Sequence, residues 1–416
     1  MNKVLKYFLI GLVSVVLIYA IYLLGSYLAW FKKPHTSLPG VSSLEELKLK
    51  MDLKEGKENE EGEDNKKTNL NLRDDYSFQI IADNLFVPWS LVFTDENRLL
   101  ISERNGYIKE VVSDQLNENS LIHFEEVSQQ SEEGLMGLAL DPDYKTNQTL
   151  YACLAYQKDN GALANKVISL LDNGSSIERS SVVIDNLPSA RYHAGCRLMF
   201  LPDKTLLITV GDAAQRDLAQ SMESLAGKIL RINKDGSVPE DNPFYPSPIY
   251  SLGHRNPQGL AYDGVNKIIW SSEHGPSVFD GPAGGDEINI IEPGNNYGWP
   301  LISHEKSKEG LISPLIQFTP ATAPGSLLYY DHQAWPEFRG TLLYGALRGE
   351  ALYRLVLNPK NPREIIWYET IPQVSFGRIR EVIQSPEGAI YLTTSNRDGR
   401  GSLRANDDKI YRLKAE

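Results

Sequence analysis

The sequence has no excess of positive charge. Its 416 residues carry 54 Asp and Glu against 42 Lys and Arg, which makes the formal net charge −12 at pH 7. No stripe of basic residues runs against this balance. Proteins that bind nucleic acid need clustered Lys and Arg to neutralise the phosphates. The composition therefore argues against nucleic acid as a partner, and we expect none.

Cysteine is nearly absent as well. Cys153 and Cys196 are the only two, and each lies within or beside a predicted strand. In an exported domain they could form a disulfide, but two buried free thiols fit the sequence equally well. No cysteine lies near the N-terminal apolar run, which excludes a lipid attachment site there.

Only one long apolar run occurs, in residues 7–31, and it has two lysines close to each end. About 20 apolar residues suffice to cross the hydrocarbon core of a membrane. A cleaved signal peptide would have a shorter core and a cleavage site of small residues. We therefore predict that residues 1–33 form one uncleaved transmembrane helix. Since a short N-terminal tail usually stays in the cytoplasm, we expect the remaining chain on the extracytoplasmic side.

Residues 34–75 contain few apolar side chains, and the stretch 54–67 has almost none. Such a segment cannot bury enough surface to offset the entropy that it would lose on ordering. We predict a disordered, charged linker that holds the following domain away from the membrane.

Residues 76–416 show no sustained helical periodicity and are rich in short apolar strands, Gly and Pro. A pattern of strand, turn and strand recurs six times, in residues 89–102, 136–156, 198–210, 259–271, 337–355 and 381–392. Hairpins at such intervals are typical of the four-stranded blades of a β-propeller. We therefore predict that residues 76–416 form one all-β domain, a six-bladed β-propeller.

One histidine stands at the start of a predicted hairpin. His193 precedes an apolar strand, and the second strand of the hairpin ends in Gly211-Asp212. An imidazole beside a carboxylate can act as a general base, because the carboxylate orients the ring and stabilises its protonated form. A lone histidine beside a turn is also often purely structural, so this interpretation needs support from other loops.

Polar, glycine-rich motifs occupy several predicted loops. They read Glu-Gly-Leu-Met-Gly at 133–137, Gly-His-Arg-Asn-Pro-Gln-Gly at 253–259, Glu-His-Gly-Pro at 273–276, Gly-Gly-Asp-Glu-Ile-Asn at 284–289 and Gly-Asn-Asn-Tyr-Gly-Trp-Pro at 294–300. Together with the His193 segment, they resemble the PQQ-dependent soluble aldose sugar dehydrogenases of the glucose/sorbosone dehydrogenase family. The resemblance covers about residues 78–413. It implies a six-bladed propeller with pyrroloquinoline quinone (PQQ) over its central channel.

The resemblance also implies roles for the matching residues. His193 matches the general base of the family, and Asp212 matches its orienting partner. Arg255 and Asn256 match a pair that contacts the quinone, where a guanidinium would stabilise developing negative charge. The implied activity is oxidation of an aldose at its anomeric carbon to a lactone, with PQQ as the hydride acceptor.

Three further arginines match the cofactor site. Arg378 and Arg380 alternate along a predicted strand and share a face, which is costly unless an anion lies between them. PQQ is a tricarboxylate. Arg348 matches a position that is lysine in some relatives. Glu132 departs from the family, because several relatives carry glutamine there. Its carboxylate should oppose an anionic cofactor unless it is protonated, turned away or paired with an arginine.

Calcium is the metal that the resemblance implies. Glu287 and Tyr297 match positions that hold a structural Ca²⁺. Gly275 and Pro276 match a turn whose carbonyl oxygens hold a second Ca²⁺, which bridges to PQQ. Such oxygen donors suit this ion. From the residues alone, the acidic pair at 286–287 could equally be an exposed turn.

Three functions follow as hypotheses. The leading one is an exported, membrane-tethered quinoprotein that passes electrons from an aldose to a respiratory acceptor, a quinone or a cytochrome. A calcium-dependent lactonase on the same propeller would need several convergent acidic ligands, whereas this chain offers arginines and a single histidine. A non-catalytic binding propeller that has lost PQQ is the third, and Glu132 is its best support.

Overall fold

The structure is a computed structural model that describes residues 72, 73 and 75–415. The predicted transmembrane helix in residues 1–33 lies outside the described residues, as does almost all of the predicted linker. Within the described part, no helix is long and apolar enough to cross a membrane.

The described chain contains 25 β-strands, one short α-helix and one 3₁₀ helix. The first half holds β1 (Tyr76–Ala82), β2 (Pro88–Phe93), β3 (Arg98–Glu103), β4 (Tyr107–Val112), β5 (Gln115–Leu116), β6 (Ile122–His123), β7 (Leu135–Leu140), α1 (Tyr144–Asn147), β8 (Thr149–Gln157), β9 (Leu163–Asp172), β10 (Ile177–Pro188), β11 (Leu198–Phe200), β12 (Leu206–Val210), the 3₁₀ helix (Arg216–Gln220) and β13 (Lys228–Ile232). The second half holds β14 (Ile249–Leu252), β15 (Pro257–Asp263), β16 (Ile268–Glu273), β17 (Asp286–Ile291), β18 (Ile316–Phe318), β19 (Leu328–Tyr330), β20 (Thr341–Ala346), β21 (Ala351–Asn358), β22 (Asn361–Thr370), β23 (Ile379–Gln384), β24 (Ile390–Thr394) and β25 (Ile410–Ala415).

The strands form six antiparallel sheets that serve as blades. Blades 1 to 5 follow the chain, as β2–β6, β7–β10, β11–β14, β15–β18 and β19–β22. Blade 6 combines β23, β24 and β25 with β1, so the first strand of the domain completes the last blade. The first strands of blades 1 to 5 and β23 of blade 6 contact one another in turn, and β2 touches both β7 and β23. The ring is therefore closed, and the prediction of an all-β, six-bladed propeller is confirmed.

Strands that are buried on both faces hold the blades together. Every residue of β12 and β13 is buried, as expected for a sheet that is covered on both sides. Leu206 and Ile208 of blade 3 share a core with Val167 of blade 2, and Trp270 and Tyr344 lie in the core between blades 4 and 5. These cores hold neighbouring blades, and hence their loops, in place.

The predicted hairpins coincide with blade strands in five of six cases, where they are the first two strands of a blade. The exception is residues 337–355, which cover the second and third strands of blade 5. The first strand of that blade, β19, has only three residues. A strand this short does not stand out as an apolar run in the sequence.

Two kinds of connection reach the same end of the ring, which we call the site face. One leads from the last strand of a blade to the first strand of the next. The other joins the second and third strands within a blade. Both emerge at one end because neighbouring strands run in opposite directions. His193 and Arg255 lie on connections of the first kind, and Asp212 and Arg348 on connections of the second.

The two cysteines are paired. Cys153 of β8 and Cys196, just before β11, form a disulfide with their Cα atoms 6.3 Å apart. Both side chains are fully buried. The sequence alone left pairing and free thiols open. In the structure the bond ties blade 2 to the loop that carries His193.

Candidate active site

His193 and Asp212 form a hydrogen-bonded pair on the site face. Nδ1 of His193 lies 2.6 Å from Oδ1 of Asp212. Asp212 is buried, and its Oδ2 accepts the indole N–H of Trp299 at 2.9 Å. Since both oxygens of Asp212 are engaged, the carboxylate is fixed and orients the imidazole. Nε2 is then the ring nitrogen that remains to accept a proton.

The backbone around His193 is held by its neighbours. His193 has a φ of +57°, and its N–H donates to Oε2 of Glu132 at 2.8 Å. Gly211 approaches so closely that a Cβ there would lie 2.0 Å from the carbonyl oxygen of His193. The side chain of Asn165 donates to the Ala194 carbonyl at 2.6 Å. Residues of blades 2 and 3 and of the connection between blades 1 and 2 therefore fix this loop.

Arg255 is buried next to Trp299, with its guanidinium carbon 5.6 Å from the ring centroid. Its Nε donates to Oδ2 of Asp280 at 2.8 Å, and a terminal nitrogen donates to the His274 carbonyl at 3.2 Å. The backbone N–H of Arg255 donates to Glu273 at 2.5 Å. Asp280 partly neutralises Arg255, so an anionic ligand at this position competes with that carboxylate.

Asn256 is buried and only half satisfied. Its Oδ1 accepts the N–H of Gly195 at 3.3 Å and the side-chain amide of Gln258 at 3.1 Å. These two donors fix which way the amide points. Its Nδ2 has no hydrogen-bond partner within residues 75–415. A buried unsatisfied donor costs about 1–3 kcal/mol, and a carbonyl oxygen of a bound quinone would satisfy it.

Arg348, Arg378 and Arg380 line the blade 5 and blade 6 side of the site face. Arg378 forms an ion pair with Asp398, with a nitrogen–oxygen distance of 2.7 Å. Arg380 is equally buried, and its Nε donates to the hydroxyl of Ser395 at 3.2 Å. Burial lowers the pKa of Arg348 and of Arg380, but a guanidinium stays charged at neutral pH. Three neighbouring guanidinium groups fit a ligand with several carboxylates.

We predicted that Arg378 and Arg380 alternate along one strand, and this prediction is wrong for Arg378. Strand β23 begins at Ile379, so Arg378 lies in the loop before it. There the arginine reaches Asp398, which comes from the connection between β24 and β25. An anion between the two arginines would therefore meet Arg378, which already pairs with Asp398, and Arg380, which forms no ion pair in residues 75–415.

Glu132 is paired with an arginine that the sequence did not single out. Its Oε1 lies 2.7 Å from a terminal nitrogen of Arg400, and its Oε2 accepts the N–H of His193. Burial alone would raise the pKa of Glu132, but Arg400 and His193 lower it to about 2. The carboxylate is thus ionised and compensated, and both of its oxygens are occupied by protein donors.

Glu132→Gln is expected to tighten PQQ binding. The amide oxygen can still accept the N–H of His193, while Arg400 loses its counter-charge and becomes available to an anion. Because the pKa of Glu132 is about 2, the gain in affinity should be the same at pH 4 and at pH 7. PQQ titrations of both proteins at the two pH values measure this. Glu126→Gln, which removes a carboxylate paired with Arg179, is the matched control.

The ion pair of Glu132 also links stability to pH. Folding lowers the pKa of Glu132, so the ion pair contributes to the free energy of unfolding above the ordinary glutamate pKa of about 4.3. It is lost as the pH falls towards 2. Glu132→Gln should therefore narrow the difference in melting temperature between pH 5 and pH 2. An unchanged difference, together with unchanged PQQ affinity, would contradict the pairing.

The predicted calcium ligands lie in two places. Gly275 donates its N–H to Asp286 at 2.8 Å, while the Pro276 carbonyl accepts the N–H of Gly284 at 3.2 Å. Glu287 lies on β17 directly opposite Glu273 of β16. The acidic pair is therefore part of a strand and is not an exposed turn.

Oxygen donors are present at these positions. Burial and the facing Glu273 raise the pKa of Glu287 to about 8, and a divalent cation beside it would stabilise the carboxylate. The hydroxyl of Tyr297 donates to the Ile290 carbonyl at 2.5 Å, which leaves its backbone carbonyl for a metal. No group of three or more His, Cys, Asp or Glu in the described chain is arranged to hold a metal. Calcium stays a prediction.

Several residues at the site face escaped the sequence argument. Asp280 and Asp398 partly neutralise arginines, and Trp299 holds Asp212. His274 forms no hydrogen bond with an acidic side chain in residues 75–415. Its Nε2 lies 3.0 Å from the carbonyl oxygen of Pro324. Burial lowers the pKa of His274 to about 4, so this histidine is neutral at pH 7. The Glu-His-Gly-Pro motif was the signal that could have identified it.

The chain is similar in sequence to several known proteins. Residues 85–406 match the family model described as Glucose / Sorbosone dehydrogenase. An uncharacterized protein of Synechocystis sp. is 34% identical over 357 residues, which cover 77% of this chain and 84% of that protein. The aldose sugar dehydrogenase of Escherichia coli is 29% identical, over 77% of this chain and 90% of its own length.

The fold has close counterparts among solved structures. The PQQ-bound aldose sugar dehydrogenase of Streptomyces coelicolor superposes with a TM-score of 0.72 at 32% sequence identity. The match covers 82% of this chain and 98% of that structure. The part of the chain that is matched is the propeller with its site face.

Proposed function

The chain belongs to the glucose/sorbosone dehydrogenase family of PQQ-dependent oxidoreductases, and on this premise we propose that it oxidises aldose sugars to lactones at the anomeric carbon. The observation that carries the proposal is the buried, unsatisfied Nδ2 of Asn256 next to Arg255. It lies on the same face as the His193–Asp212 pair, so a hydrogen-bond donor for a quinone and a base for a sugar share one site.

His193 acts as the general base. Its Nε2 takes the proton of the anomeric hydroxyl as the bond between carbon and hydrogen breaks. Asp212 holds Nδ1 in place at 2.6 Å and stabilises the imidazolium that forms. Trp299 in turn fixes Asp212 from the other side.

PQQ, when bound, supplies the acceptor for the hydride that leaves the anomeric carbon. Asn256 and Arg255 would hold one of its carbonyl oxygens, and Arg255 would stabilise negative charge there. Arg348, Arg378 and Arg380 would hold its carboxylates. The proposal also includes Ca²⁺ at the carbonyl oxygens of Gly275 and Pro276 and at the site of Glu287 and Tyr297.

The proposed location is the extracytoplasmic side of a membrane, with residues 1–33 as the anchor. The disulfide between Cys153 and Cys196 supports this location, because such bonds are rare in a reducing cytosol. Electrons would pass from the sugar to a respiratory acceptor, a quinone or a cytochrome. The lactonase alternative is less well supported. The cationic side chains of the site face suit an anionic cofactor better than a hydrolytic metal site.

Reconstitution tests the proposal. The purified apo protein is mixed with PQQ, with and without Ca²⁺, and dye-linked oxidation of an aldose is followed while the product is identified. We expect dye reduction that depends on PQQ, with the lactone or its hydrolysed acid as product. Tight PQQ binding without any sugar oxidation would leave a binding propeller as the better description, and no PQQ binding at all would refute the proposal.

A further inference from the structure

Arg104 is a buried cation at the site face whose guanidinium forms no ion pair within the described part of the chain. It follows β3, in the connection to β4, and is 5% exposed. Its Nε has no hydrogen-bond partner, and no carboxylate in the described chain forms an ion pair with its guanidinium. An unpaired buried charge is costly, because it gives up its hydration and receives nothing in return. A position of this kind needs an explanation.

Three carboxylates, those of Asp398, Glu133 and Glu132, attract Arg104 electrostatically, but their oxygens are bonded to other groups. Both oxygens of Glu133 accept backbone N–H groups, at 2.7 and 2.9 Å. Glu132 is shared between Arg400 and the N–H of His193. Asp398 is paired with Arg378. None of them forms an ion pair with Arg104 in the described chain, so their charges act on the guanidinium only at longer range.

The backbone places Arg104 beside the predicted cofactor site. Its N–H donates to the Val87 carbonyl at 3.2 Å. Two residues further along, the ring of Trp89 lies 5.7 Å from the guanidinium carbon of Arg380. The stem of Arg104 packs on Gly134, where a Cβ would lie 2.3 Å from Cγ of the arginine. Arg104 thus lies between the Glu132 loop and Arg380.

We propose that Arg104 is a further anion-binding residue of this site and that its guanidinium takes one carboxylate of PQQ. The inference rests on the proposed function. An arginine suits this task because its planar donors match a carboxylate in a bidentate pair. With Arg380, it supplies a second buried positive charge that forms no ion pair with a carboxylate of the described chain. A ligand with several carboxylates would compensate both.

The test is Arg104→Met in the full-length chain, purified in detergent as apo protein. Methionine keeps an unbranched apolar stem against Gly134 and removes the charge. We expect PQQ to bind roughly 10- to 100-fold more weakly, the range for losing a hydrogen bond to a charged group. The apo variant should melt at the same temperature as the wild type or higher, because a buried charge without a direct ion pair has been removed.

Arg98→Met is the matched control. Arg98 begins the same strand at the opposite end of the ring and is paired with Asp172 and Glu110. This variant should melt at a lower temperature and bind PQQ as the wild type does. If Arg104→Met binds PQQ with wild-type affinity, the inference is wrong while the proposed function stands. If the wild type itself binds no PQQ, both are wrong.

Discussion

His193→Gln is expected to lower turnover about 10²- to 10⁴-fold, the contribution typical of a general base. PQQ affinity should be nearly unchanged, because the arginines and Asn256 that would hold the cofactor are not altered. Glutamine can still reach Asp212 with its amide, but it cannot take up a proton at neutral pH. Rates per bound PQQ, from dye-linked assays with a parallel PQQ titration, measure the effect.

His332→Gln is the control for the His193 variant. His332 lies in the connection between β19 and β20, at the end of the ring away from the site face. It should leave turnover and PQQ affinity unchanged. If His193→Gln instead loses its fold or its cofactor while keeping full activity per bound PQQ, His193 is a structural residue and the proposed mechanism fails.

Asp212→Asn is expected to lower turnover by about 10²- to 10⁴-fold as well, because the imidazole loses both its orienting acceptor and its counter-charge. The structure adds a second reason. Oδ1 of Asp212 accepts from the Ala214 N–H and contacts His193, while Oδ2 accepts from Trp299. An asparagine must turn its NH₂ group towards one of these donors, whichever way it is placed.

The double variant separates a positioning role from a general loss of stability. If Asp212 acts through His193, Asp212→Asn should cost little further turnover in a His193→Gln background. Asp263→Asn, which changes a buried aspartate at the end of β15, should affect stability only. Fully additive losses in the double variant would show that Asp212 acts independently of the base.

The fold was predictable because blade strands are apolar runs separated by turn residues. β12 and β24 are entirely buried and stand out for that reason. The N-terminal start of β1 at Tyr76 coincides with the end of the charged segment. The strand β19 was missed because three residues carry no pattern, and the loop position of Arg378 was missed because strand ends are set by tertiary contacts.

The pairings at the site face could not be predicted. Glu132 and Arg400 are 268 residues apart in sequence and meet only because the ring closes between blades 6 and 1. The pairs of Arg255 with Asp280 and of Arg378 with Asp398 join loops of neighbouring strands across 25 and 20 residues. Local sequence shows that such residues are charged, but it does not show which charge compensates which.

The burial of Arg104 could not be predicted from the sequence either. In sequence it is one arginine after a strand, and a strand-end arginine is usually solvated. The structure shows that Arg104 is buried, and that the carboxylates around it in residues 75–415 are bonded to other groups. His193 and Asn256 lie in motifs that resemble a known family, so their sequence alone indicates a role. The position of Arg104 among other charged groups is visible only in the folded protein.

Single-turnover reduction of bound PQQ tests the central claim most directly. The reconstituted protein is mixed with a free aldose or with its 1-O-methyl glycoside, and the absorbance of the bound cofactor is followed without any dye. Since His193 must take the proton of the anomeric hydroxyl, the free aldose should reduce the cofactor and the methyl glycoside should not. Equal reduction by both sugars, or by neither, would contradict oxidation at the anomeric carbon.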